Sequence, residues 1–161
     1  MTPDPPTLLG CSAVLFLLLG VHFILSEFSG RRWSRMAWYA APFLLGSVSS
    51  LLFIVPTLLP GLWSLRLGAL FMALAYGAGW QALRVMLGCR PRILVLLFAC
   101  SASFMLSMLA GPTGLMHVIS TAFRLAIIAA FHGAAALDLK RNVRIMTPGG
   151  FEKPLALSCS V

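Results

Sequence analysis

The sequence predicts an all-α integral membrane bundle of five transmembrane helices, and three observations predict it. Of 161 residues, 60% are apolar and only 10% charged, whereas a soluble domain uses about a quarter charged residues to cover its surface. Mean hydropathy is +0.95. Five apolar runs, separated by Pro, Gly and Arg, each approach the roughly 20 helical residues that cross a hydrocarbon core of about 30 Å. Open strands cannot satisfy their backbone in lipid, and none of the runs alternates with period two, so each is a helix.

The first run, 8–26, follows Met1-Thr2-Pro3-Asp4-Pro5-Pro6. That segment has no basic n-region, so the run is expected to remain as a helix and not to be cleaved as a signal. The second, 37–55, contains Pro42, a candidate kink. Pro56, Pro60 and Gly61 end it before the third, 65–87; Pro91 precedes the fourth, 93–110; Gly111-Pro112 and Gly114 precede the fifth, 117–137. Short connectors make neighbours antiparallel. Residues 1–140 therefore read as one bundle, and 141–161 as a basic cytoplasmic tail without fixed structure. Small residues recur every four positions as candidate contact stripes: Ala69, Ala73, Gly77; Ala99, Ser103, Ser107; and Ala126, Ala130, Ala134.

Lys+Arg 12 against Asp+Glu 4 gives a net charge of +8, which in a membrane chain reports topology and not nucleic-acid binding. Ten of the twelve fall on one side: Arg31, Arg32, Arg35, Arg84, Arg90, Arg92, Lys140, Arg141, Arg144 and Lys153. By the positive-inside rule the N-terminus is outside and the C-terminus inside. Trp33, Trp38, Tyr39, Trp63 and Trp80 lie near run ends, as an interfacial aromatic belt does. Cys11, Cys89, Cys100 and Cys159 share no close spacing and suggest neither a zinc site nor a disulfide framework, although juxtamembrane Cys89 is a candidate for acylation.

Few residues suggest chemistry. Arg124 is the most deeply placed charge, read either as snorkelling or as holding an anionic ligand or lipid headgroup. Gln81 and Arg84 lie three apart near the basic side, with Glu27 as a candidate partner for Arg84, and join Arg124 as headgroup candidates. His22 and His132 share a depth on helices of the same direction, which would suit axial ligation of a haem, the one cofactor the sequence brings to mind. His117 reads as a solvated cap. Asp4, Glu27, Asp138 and Glu152 are scattered, and no nucleophile elbow or phosphate loop occurs, so an enzyme is not expected.

Several positions together resemble the N-terminal membrane region of bacterial GGDEF diguanylate cyclases. These are Thr7-Leu8, Gly20, the basic turn after the first run, Trp38, Ala40, Phe43, Gly46 and the Pro56–Pro60 turn. They continue with Leu67-Gly68-Ala69, Gly77, Trp80, Leu83-Arg84, the Gly88–Arg90 turn, Arg124 and Asp138-Leu139-Lys140, so the resemblance covers about residues 7–140. It implies a sensor or anchor in the bacterial inner membrane. The catalytic domain such proteins carry is not expected within these residues, because Gly149-Gly150-Phe151-Glu152 only mimics its signature and nine residues follow. The expected function is a non-enzymatic membrane sensor or anchor, acting through the bilayer, a homodimer or a cytoplasmic signalling partner. A small transporter or channel subunit is the alternative, and a haem- or metal-binding membrane protein the third.

Overall fold

A computed structural model describes residues 4–27, 33–55, 62–110 and 114–143. Five helices occupy the five apolar runs: α1 (Pro5–Glu27), α2 (Trp33–Ile54), α3 (Trp63–Met86), α4 (Ile93–Leu109) and α5 (Leu115–Val143). Three of them, α1, α2 and α5, contain segments long and apolar enough to cross a bilayer, and α4 is a shorter apolar helix. Large side chains such as Leu18, Leu94, Phe98 and Leu109 are exposed and face outward, which suits lipid and not water.

Local chemistry sets the helix ends. Asp4 precedes α1 and accepts a hydrogen bond from the Thr7 hydroxyl, while Pro5 takes the first helical position, where its missing N–H costs nothing. At the end of α3, Gly88 has φ +75°, a left-handed conformation that glycine adopts freely. The amides of Gly88 and Cys89 then turn back onto the carbonyls of Val85 and Arg84 at 3.1 and 2.8 Å. This is a Schellman closure, and it satisfies carbonyls that the helix end would leave open. Pro42 stands inside an unbroken α2.

Among the described residues α1 packs on α2 alone, α2 also on α3, and α3, α4 and α5 on one another. Only α3 has three neighbours among these described residues. Its composition explains why it lies inside: Gly68, Ala69, Ala73, Gly77 and Ala78 are buried and allow close backbone approach. The Ser49 and Ser64 hydroxyls donate at 2.7 Å to the Gly68 and Leu52 carbonyls across α2 and α3. Where α1 lies on α2, Gly20 faces Leu44 and the rings of Phe23 and Phe43 stack with centroids 5.5 Å apart. The core of the other three helices is Ala73, Trp80, Leu96, Cys100 and Phe131.

Four details differ from the sequence reading. Ala126 and Ala130 are exposed, because the small side of the α3–α5 contact lies on α3 and Phe131 of α5 fills it. Trp80 is buried, 7% exposed, and belongs to the core, not to an interfacial belt. Helix α5 runs to Val143, with Asn142 buried and its Nδ2 donating to the Asp138 carbonyl at 2.8 Å, so the first residues assigned to the tail are helical. Cys89 is buried and disulfide-bonded, which removes the free thiol that acylation needs. Residues 144–161 and the side chains of Glu27 and Trp33 lie outside the described residues.

A Cβ at Gly77 would stand 2.1 Å from Leu96 Cδ1 and 3.0 Å from the Phe131 ring, whereas one at Gly133 would meet nothing within 4 Å. Gly77→Leu is therefore expected to destabilise the bundle by more than the ~1–3 kcal/mol typical of overpacking. Gly133→Ala, inside a helix and unobstructed, should leave stability unchanged or raise it by up to about 1 kcal/mol. Thermal unfolding in detergent, followed by helical circular dichroism, measures both, and equal melting of the two variants would contradict the three-helix junction.

Candidate functional site

The last two turns of α3 carry Trp80, Gln81 and Arg84. Trp80 and Arg84, four apart, share a helical face, and that face meets α5. Arg84 Nη1 lies 2.8 Å from Asp138 Oδ2 in an ion pair whose side chains are 5% and 16% exposed. Trp80 Nε1 donates to the same oxygen at 2.9 Å, and the guanidinium carbon stands 5.6 Å from the Trp80 ring centroid. Arg84 Nε donates to the Arg90 carbonyl at 3.2 Å. The charge is thus met by a carboxylate, a carbonyl and an aromatic face.

Gln81, fully buried, turns toward α4 instead. Its Oε1 accepts from the Arg92 amide at 2.7 Å, and its Nε2 donates to the Arg92 carbonyl at 3.4 Å. One side-chain amide therefore grips both backbone groups of the residue that opens α4.

Gln81 and Arg84, expected as headgroup contacts, are both committed to the protein's own groups. Arg84 pairs with Asp138 and not with Glu27: α1, which ends at Glu27, reaches no helix but α2 among the described residues. The histidines stand on α1 and α5, whose backbones do not pack on one another among the described residues. His132 packs on Tyr76 with ring centroids 5.0 Å apart and its Nδ1 is 2.9 Å from the Ile128 carbonyl. It lines a lateral, mostly apolar cavity of about 310 Å³ with Phe16, Phe43, Met72 and Tyr76; His22 does not line it, but is exposed with its ring near Phe23.

Arg124 lies at the opposite end of the bundle. There it lines a second cavity, of about 260 Å³, with Arg66, Ser107, His117, Ser120 and Thr121. Arg66 Nη2 donates to the Ala110 carbonyl at 3.0 Å, and its Nη1 lies 3.8 Å from Met108 Sδ. Ser120 Oγ is buried and has no hydrogen-bond partner among the described residues.

Sequence reasoning missed Arg66, Trp80 and Asp138. Arg66 was findable by subtraction, since it and Arg124 are the two basic residues left when the ten on the other side are removed. Asp138 lay one residue beyond the expected end of the fifth run. An acid ahead of Lys140 and Arg141 on a continuing helix was its signal.

Removing one partner of a buried ion pair leaves the other charge uncompensated, at a cost of about 3–5 kcal/mol. Arg84→Ala and Asp138→Ala are each expected to lose stability on that scale, and the double variant Arg84→Ala with Asp138→Ala to lose clearly less than the two together. Strictly additive melting losses in the double-mutant cycle would deny the coupling. Comparison with protein-family models, curated proteins and solved structures gives no match to this chain.

Proposed function

We propose that the chain is a non-enzymatic membrane sensor or anchor module, similar to the membrane region that precedes the catalytic domain of GGDEF diguanylate cyclases. In this reading all five helices cross a bacterial inner membrane. The N-terminus is outside, and the end holding Arg84, Arg90, Arg92, Lys140 and Arg141 is cytoplasmic. The exposure of Arg90, Arg92, Lys140 and Arg141 at one end supports that orientation.

The observation that carries the reading is the buried Arg84–Asp138 pair. It ties the central helix to the part of α5 that leads out of the bundle, so a displacement of α3 is passed to whatever α5 joins or dimerises with. Asp4 and Asp138, the acidic side chains among the described residues, belong to opposite ends, an arrangement that lends no support to paired-carboxylate chemistry.

Two measurements test the proposal. A reporter active only in the cytoplasm should work when fused after Lys140, and one active only outside should work after Gly61; the reverse pattern would overturn the orientation. A cyclase domain whose output depends on dimer geometry, fused after Val143, should change its cyclic di-GMP production when Asp138→Asn weakens the tie to α3. The exposed-face control Leu94→Ala should not change it. Identical output from all three chains would sink the transmission role.

A further inference from the structure

We propose that the end of the bundle opposite the Arg84–Asp138 pair holds a binding site for a phosphate-class oxyanion between Arg66 of α3 and Arg124 of α5. The two arginines that the topology count leaves over come from helices far apart in sequence and line one cavity. Arg124 forms no hydrogen bond or ion pair with any described residue, and no described carboxylate is near to neutralise either arginine: Asp138 is held by Arg84 and Trp80, and Asp4 caps α1. A cation inside a membrane bundle is costly unless it is paired.

A second observation points into the same space independently. Ser120, 2% exposed, lines the cavity, and its Oγ is the one buried side-chain polar atom among the described residues without a partner. Such a hydroxyl normally finds a hydrogen bond, and leaving it without one costs about 1–3 kcal/mol. An anion held by the two arginines would accept it.

The donor set selects the ligand class. Arg66 is fixed by the Ala110 carbonyl at 3.0 Å, which leaves most of its N–H groups free. Guanidinium forks match the oxygens of phosphate in pairs. Thr121 and His117 add further donors at the rim. Phe53, Leu62 and Leu65 form an apolar wall beside them, so the phosphate can be free or can be the headgroup of a lipid whose chains lie along that wall. The site stands whether or not α5 transmits a signal.

Binding to the purified full chain tests the site. Inorganic phosphate is titrated calorimetrically in a neutral detergent, and phospholipid retention is read by native mass spectrometry after reconstitution in phosphatidylcholine with or without phosphatidic acid. Wild type is expected to bind at least one probe saturably, and Arg124→Gln to weaken that binding by about tenfold or more, as loss of a charge-assisted pair does. Saturable phosphate alone identifies a free anion; retained phosphatidic acid alone identifies a headgroup. Ser120→Ala, which removes no charge and leaves a smaller side chain, should weaken binding severalfold without lowering the melting temperature. Should Arg124→Gln fail to fold, Ser120→Ala and Arg124→Lys decide. Wild type that binds neither probe, or variants that bind as wild type does, would overturn the proposal.

Discussion

A guanidinium buried among packed helices needs acceptors within reach, because apolar side chains and lipid tails offer none. Arg84 imposes that condition on everything near it. Helix α5 must continue past its apolar stretch to bring Asp138 level with it. Trp80 must lie inside, with its indole N–H on the same carboxylate oxygen. The chain after α3 must fold back through a left-handed Gly88 so that the Arg90 carbonyl returns to Arg84 Nε. Four residues from three segments therefore depend on one charge.

The same condition accounts for the place of α3. It carries Arg66, Gln81, Arg84 and a run of Gly and Ala, so it offers lipid little apolar surface and its neighbours close backbone approach. The other helices supply the bulk that α3 lacks. Phe131 and Leu96 converge on Gly77, while leucines and phenylalanines face outward from α1, α4 and α5.

The five helices were legible in the sequence because apolar length and Pro/Gly punctuation are local signals, and each helix starts and stops within a few residues of its run except at the end of α5. Adjacency was not legible. The small-residue stripes of α3 and α4 do face neighbours, but of the α5 stripe only Ala134 does, since spacing alone cannot say which of two packed helices supplies the small side. Arg84 was singled out in the sequence while its partner was not, because pairing Asp138 with it needs to know that α3 and α5 touch. Arg124 was visible as a deep charge; its companion Arg66 and the unpartnered Ser120 come together only in three dimensions.

The grip of Gln81 on Arg92 spans 11 residues of chain, whereas the Arg84–Asp138 latch spans 54. Closing a short loop loses less chain entropy than closing a long one, and local contacts form sooner than distant ones. The α3–α4 hairpin can thus be clasped while α5 is still being synthesised. During that interval Arg84 has the Arg90 carbonyl but no counter-charge. The difference in span implies an order for biogenesis: the hairpin as an unfinished half-socket first, then the arrival of Asp138 to complete it.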